Sequence, residues 1–391
     1  MKFGSAATFR LTTQSNHFMK SQLHVGTRKG LFLLERDGSS WRIVRTSFLG
    51  VSVPMLLTDA RDGTLYAAVE HGHFGTKLHA STDDGVTWEE RACPVYPPKA
   101  EGEEDVIDPM RQKPVPRTLE KIWALEAGGA DEPGVLWCGT IPGGLFKSVD
   151  SGRSWSIVES LWNRPERRKW FGGGADWPGI HSICVDPRDA RHVTIAISCG
   201  GVWTTRDGGA NWAVLGKGIV NDYMPPDQQE VPESQDPHRI VACPSAPDVM
   251  WMQHHNGIFV SQDAGASWRR IVDVKPSVFG FAVAVHPTDA RRAWFVPGVK
   301  DEMRIACDGA VCVTETRDGG VTFTAHRDGL PQEHAYHLVY RHCLDVSGDG
   351  RVLAFGSTTG SLWASADSGQ SWARISAELP PIYCVKFSSG R

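Results

Sequence analysis

The chain has 391 residues, 41% of them hydrophobic and 22% charged, with a formal net charge of −4. That balance is ordinary for a soluble globular protein. A pI near 6.4 excludes the broadly basic face that a nucleic-acid binder needs, and no apolar run reaches the ~18–20 residues of a transmembrane helix, so neither nucleic acid nor membrane is an expected partner.

In chain order, residues 1–20 lack the apolar core of a secretory signal and are expected to be a disordered leader, with Met19 a candidate start. Residues 21–391 read as one domain of short strands. Apolar runs at Leu23–Val25 and Gly30–Leu33 precede Leu34-Glu35-Arg36-Asp37-Gly38-Ser39-Ser40-Trp41. Leu65–Val69 precedes Ser81-Thr82-Asp83-Asp84-Gly85-Val86-Thr87-Trp88. A Pro- and charge-rich insertion over 92–118 could cover one end as a lid. Runs at Val135–Cys138 and Gly144–Phe146 lead to Ser148–Trp155, and a tryptophan- and glycine-rich loop spans Trp162–Trp177. Runs at Ile180–Val185, Val193–Ile197 and Gly201–Trp203 lead to Thr205–Trp212. The same order recurs before Ser261–Trp268, Thr316–Phe323 and Ser365–Trp372, and an orphan strand, Ile382–Phe387, follows.

The repeated turn is Ser/Thr-x-Asp-x-Gly-x-x-Trp, with aromatic-to-aromatic steps of 47, 67, 57, 56, 55 and 49 residues. The first copy is decayed, with Arg36 where the others carry aspartate. Asp suits backbone N–H groups across a tight turn, Gly supplies positive φ, and Trp packs between neighbouring units. Six equivalent aspartates are therefore structural rather than catalytic. Four strands per unit at this period predict an all-β fold, a seven-bladed β-propeller with four-stranded antiparallel blades. The first unit lacks a strand, and the C-terminal strand completes it and closes the ring.

These turns resemble the BNR or Asp-box repeat shared by sialidases, sortilin-type receptors and photosystem II assembly factors. The resemblance covers roughly residues 22–391 and implies the propeller fold; catalytic and non-catalytic propellers both carry it. The sialidase pattern implies a Phe/Tyr-Arg-Ile-Pro motif, further arginines and a Tyr–Glu pair. Phe9-Arg10-Leu11 lacks the proline, Arg304 and Arg341 lie in suitable regions, and Tyr223 and Tyr336 are candidate tyrosines.

Propeller topology puts the repeated turns on one face and the loops between second and third strands, with those joining blades, on the other. That second face gathers His181, His238 and His337 at the heads of innermost strands, and His254, His255, His71 and His73 in second-to-third-strand loops. Imidazoles from several blades could converge on a divalent transition metal, or each could bond loop backbone; neither His-His nor His-Gly-His is a standard zinc spacing. His181, His255, Glu70 and Arg304 are the candidate catalytic groups. Trp170, Trp177, Asp176, Arg341 and Tyr223 are candidate ligand contacts, the aromatics for stacking on a sugar and the arginine for an anion. Glu126, Asp222, Asp236, Asp301 and Glu302 share the face, and Arg164, Arg167 and Arg168 form a basic run. The triple glycine Gly172–Gly174 reads as a hinge, since no Lys-Ser/Thr follows to make a phosphate cradle.

Nine cysteines without a CxxC pair, several in apolar runs (Cys184, Cys199, Cys243, Cys384), are expected to be free thiols in a reducing cytoplasm. The expected function is a hydrolase or lyase, metal-dependent or not, acting on a small polar or carbohydrate-like ligand at the histidine-rich mouth. A non-catalytic propeller holding a ligand or a protein partner is the second expectation, and a sialidase-type glycoside hydrolase the third.

Overall fold

The computed structural model describes residues 21–38 and 40–388; the expected leader and Phe9-Arg10-Leu11 lie outside the described residues. Seven four-stranded antiparallel sheets make a seven-bladed β-propeller. From innermost strand outward, blade I is Ile382–Phe387, Gln22–Thr27, Gly30–Asp37 and Ser40–Ser47; blade II is Ser52–Thr58, Leu65–Glu70, Thr76–Ser81 and Glu89–Arg91. Blade III is Lys121–Ala127, Leu136–Ile141, Leu145–Ser148 and Ser156–Ile157; blade IV is Ile180–Asp186, Asp189–Ile197, Gly201–Thr205 and Ala213–Leu215. Blade V is Pro237–Cys243, Ala246–His254, Gly257–Ser261 and Arg269–Ile271; blade VI is Gly280–Val285, Ala293–Pro297, Val313–Thr316 and Thr324–His326. Blade VII is Leu344–Val346, Leu353–Gly356, Leu362–Ser365 and Ala373–Ser376. The C-terminal strand pairs with Gln22–Thr27, Val385 opposite Val25, and closes the ring as the sequence predicts.

Stacked sheets bury both faces of their middle strands, so Leu136–Ile141 and Gly257–Ser261 are buried at every position, while the outer strand Ser40–Ser47 is mostly exposed. The tryptophans form two sets. One is the last residue of each repeated turn. The other sits on second or third strands: Trp137, Trp203, Trp251, Trp294 and Trp363 are all fully buried. The two sets meet through glycine. A Cβ on Gly209 of blade IV would lie 3.3 Å from Trp137 of blade III; one on Gly320 of blade VI, 3.2 Å from Trp251 of blade V; one on Gly369 of blade VII, 2.9 Å from Trp294 of blade VI. In these three turns the glycine is thus a flat seat for the preceding blade's indole; Gly152 and Gly265 instead meet aliphatic side chains of the preceding blade, Leu78 and Leu215.

In the six intact turns the Ser/Thr hydroxyl and aspartate lock each other. Ser148 Oγ donates to Asp150 (2.8 Å), and Asp150 accepts from Ser154 N (2.8 Å) and Ser154 Oγ (2.6 Å); Asp207 does the same with Thr205 and Asn211. These donors, the side chain and backbone of the fourth residue on, pull Asp150 and Asp207 from the ordinary 3.8 down to about 2. The turns also touch the hairpins between first and second strands (Gly208 N to Arg191 O, 2.9 Å; Gly319 N to Arg291 O, 2.9 Å), which fixes them on that end of the ring. In blade I, the first copy is instead the end of a hairpin in which Arg36 faces Trp41 and Asp37 faces Ser40.

Two outcomes follow for stability. Gly320→Ala puts a side chain at φ +82° and 2.4 Å from Ile271 Cδ1 as well as against Trp251, and thermal denaturation should show a loss of about 1–3 kcal/mol. Carboxylates whose folded pKa is depressed stabilise above their unfolded value and lose that contribution as pH falls through the folded one. Circular dichroism should therefore show stability declining between about pH 4 and pH 2, with a shallower decline in Asp150→Asn, Asp207→Asn.

Candidate functional site

At the end of the ring opposite the repeated turns, innermost strands carry an irregularity. Pairing skips Trp123 in blade III, His181 in blade IV, His238 in blade V and Phe281 with Ala282 in blade VI. A bulge inserts an extra residue and re-aims its side chain, and these bulged positions supply most of the mouth. Hairpin residue His255, Cys199, the loop around Gly173 and Gly174, and the segments holding Arg304 and Arg341 complete it.

Asp236, His238 and His255 bring one ligand atom each to within 4.8 Å of one another, and among the described residues they form the one such group of three or more His, Cys, Asp or Glu side chains. Asp236 Oδ2 lies 3.6 Å from His238 Nε2 and 3.4 Å from His255 Nδ1. The other oxygen, Oδ1, accepts from Cys199 N at 3.2 Å and Ser198 Oγ at 3.4 Å. His238 Nδ1 is 2.6 Å from the Gly280 carbonyl, which can only accept, so Nδ1 carries the proton. Burial lowers the His238 pKa, with Asp236 opposing, and Nε2 faces the carboxylate. Phe281 stacks on that ring at 4.3 Å, and Tyr223 meets His255 edge-on at 4.9 Å.

Beside this group lies Arg341, buried, with Nε and Nη2 lacking any hydrogen-bond partner. Its guanidinium sits 4.9 Å from the Trp123 ring and 5.2 Å from Phe281, which also receives Arg304 at 5.4 Å. Burial pushes Arg341 down to about 10, with Asp236 opposing. Leaving two nitrogens of a buried guanidinium without hydrogen-bond acceptors is costly. The glycine-rich loop lies over it. Gly174 N donates to Ser198 Oγ (3.0 Å); a Cβ on Gly174 would be 2.6 Å from Arg341 Nη2, and one on Gly173 would be 2.3 Å from Cys199 Sγ and 3.6 Å from Asp236 Oδ2. These glycines allow close approach of backbone to the site, a role distinct from the expected hinge.

The expected histidines do not converge as one set. His181 Nε2 donates to the Pro237 carbonyl (2.8 Å) and Nδ1 meets Ser182 Oγ; burial keeps it neutral. His254 is buried behind the group, pushed by burial to about 3, with Asp236 N and Asn256 N each 3.1 Å from its two nitrogens, of which a neutral ring accepts at one. It positions Asp236. His337 does not head a strand, because the innermost strand of blade VII starts at Leu344; it bonds Thr359 Oγ1 at 2.5 Å and lies edge-on to Trp363. His71 and His73 lie at a short 3₁₀ turn of blade II, outside the group.

Glu70 is held by Ser52 Oγ (2.8 Å) and Lys121 (3.2 Å). Arg304 pairs with Asp301 at the rim. Trp170 is fully buried against Trp203 and is core rather than a stacking surface. Asp176 pairs with Arg111 of the insertion, whose guanidinium reaches Trp177 at 6.0 Å. The insertion thus grips the glycine-rich loop, reinforced by Gly172 N donating to Asp108 (3.1 Å). Arg164 pairs with Glu166, and Arg167 stacks on Trp162 at 3.4 Å, so two members of the basic run are engaged internally. Trp123 and Phe281 were not singled out in the sequence, and Cys199 only as a free thiol.

A concavity of about 450 Å³ follows the axis, from His181 and His342 to the turn residues Pro187, Pro244 and Pro287. Glu126, Arg239, Asp345 and Lys386 line it, and His342 Nε2 donates to the His181 carbonyl (2.8 Å) between it and the mouth.

The chain is a β-propeller, and comparisons with known proteins agree. No protein-family model matches it. An oligoxyloglucan-reducing end-specific xyloglucanase of Emericella nidulans is 25% identical over 152 residues, 35% of this chain and 17% of that protein. A xyloglucanase of Paenibacillus sp is 22% identical over 287 residues, 64% and 26%. The chain therefore spans about a quarter or less of these curated relatives. Among solved structures, a putative 6-phosphogluconolactonase from Bacteroides fragilis superposes with TM-score 0.57 at 12% identity, over 95% of this chain and 99% of that one. An ancestral GH74 enzyme gives 0.55 at 14%, over 86% and 38%. At these identities the likeness is one of fold. All nine cysteines are free, and among the described residues no helix is long and apolar enough to cross a membrane.

Gly173→Ala tests the loop's packing: the added methyl must displace Cys199 or lift the loop. A melting curve should show about 1–3 kcal/mol of destabilisation with the β-sheet spectrum retained; unchanged stability would remove the close-approach role.

Proposed function

We propose that this propeller is a carbohydrate-acting hydrolase or lyase that takes a small, carboxylate-bearing sugar at the mouth. The observation that carries the reading is Arg341: a buried guanidinium, unpaired on two nitrogens, beside Asp236, His238 and His255. A carboxylate would satisfy those donors bidentately, while Trp123 and Tyr223 offer rings to the sugar's apolar face. The names of the two curated relatives support carbohydrate as the ligand class; the arginine selects the acidic members. The reaction centre is the Asp236–His238–His255 group, with Arg304 at the rim. Nine free thiols support a reducing, cytoplasmic setting. The repeated turns support kinship with Asp-box propellers through their shared Ser/Thr–Asp lock.

Calorimetry with glucuronate and galacturonate, against glucose and xylose, tests this. The acids should bind and the neutral sugars should not. Arg341→Met should weaken acid binding by roughly 10- to 150-fold, the worth of a hydrogen bond to a charged group, while the melting temperature holds or rises because an unpaired buried charge is removed. Equal binding of neutral sugars, or full binding by Arg341→Met, overturns the reading. A propeller that holds a protein instead is the outcome if no saccharide binds.

A further inference from the structure

We propose that Asp236, His238 and His255 bind a single divalent transition-metal ion through Oδ2, Nε2 and Nδ1, leaving its remaining coordination open to the mouth. This deepens the proposed function by naming what the reaction centre holds, and only its catalytic role rests on that reading.

Geometry is the first support. Zinc bonds to imidazole nitrogen and carboxylate oxygen are about 2.0–2.2 Å, so two ligand atoms on a tetrahedron's edge lie roughly 3.3–3.5 Å apart. The two distances from Asp236 Oδ2 are 3.4 and 3.6 Å. The third edge, no longer than 4.8 Å, closes by turning the ring of His255, the partly exposed member of the group.

The outer contacts are the second support. Ligating histidines donate their other ring N–H to a carbonyl or carboxylate, which fixes the tautomer. His238 does so to Gly280, and its free nitrogen faces an oxygen, not a donor. Asp236 has Oδ1 taken by Cys199 N and Ser198 Oγ, which leaves Oδ2 for the ion. Its backbone is pinned on both sides: Asp236 N meets His254 Nε2, and its carbonyl accepts from His255 N at 3.0 Å. Two imidazoles and one carboxylate suit zinc, cobalt or manganese over calcium. Three protein ligands with a vacant position is the arrangement of catalytic sites, and structural sites are closed. Arg341 opposes a dication nearby, and an anion bound between the two relieves that repulsion.

The test uses the full chain, stripped with EDTA and titrated with ZnCl₂ by calorimetry and with CoCl₂ by visible absorption. One equivalent of Zn²⁺ should bind at micromolar or lower Kd, and Co²⁺ should give the intense d–d bands of a low-coordinate site. His238→Ala and His255→Ala should each weaken binding at least tenfold, while His71→Ala, at a histidine outside the group, should not. His255 is partly exposed, so its variant keeps the test open if His238→Ala fails to fold. Substoichiometric uptake, or wild-type affinity in His255→Ala, overturns the proposal. Zinc uptake without acidic-sugar binding sinks the proposed function and leaves the metal site standing; acidic-sugar binding with no zinc uptake does the reverse.

Discussion

The ring is held by a contact that recurs at three seams, between blades III and IV, V and VI, and VI and VII: a tryptophan on a middle strand lies against the glycine of the next blade's turn. Indole burial supplies a large apolar area at these seams, and the glycine keeps the sheets close enough for it. The aspartate lock serves the same contact, since it fixes the turn that presents the glycine. Where the lock is missing, in blade I, a hairpin replaces it, and closure depends on strand pairing with Ile382–Phe387. The mouth draws its bulged residues Trp123, His181, His238 and Phe281 from innermost strands held by these seams, and its other groups from the long connections over them.

Much of the fold was legible in the sequence because its signals are local. Ser/Thr, Asp, Gly and Trp at fixed offsets define a turn without reference to anything distant, and their spacing counts the blades. The orphan strand at Ile382 gave the closure. The second set of tryptophans was less legible: Trp137 and Trp294 lie in ordinary apolar runs, and only packing reveals that they face the next blade's glycine.

The site was legible by face and not by position. Assigning His238 and His255 to one mouth followed from topology, and Arg341 was marked by the sialidase resemblance. Which histidines meet did not, because the deciding residues sit on bulges. A bulge breaks the two-residue alternation that lets a reader assign sides of a strand, so His181, one blade from His238 and equally placed at a strand head, turns to the Pro237 carbonyl instead. His337 was misplaced for a related reason: the strand of blade VII starts seven residues later than its apolar run suggests. Asp236, the hub of the group, looked like any loop carboxylate, since its value lies in burial and in two backbone contacts that the sequence does not display.

Sharing one sheet between the two ends of the described chain has a consequence for biogenesis. Blade I cannot be finished until Ile382–Phe387 has been synthesised, so a nascent chain leaving the ribosome carries an unpaired edge at Gln22–Thr27 throughout translation. Blades II to VII can zip up in order behind it, each packing against the one before. The incomplete first blade is the segment on which a chaperone, or an unwanted neighbouring strand, would act before the ring shuts.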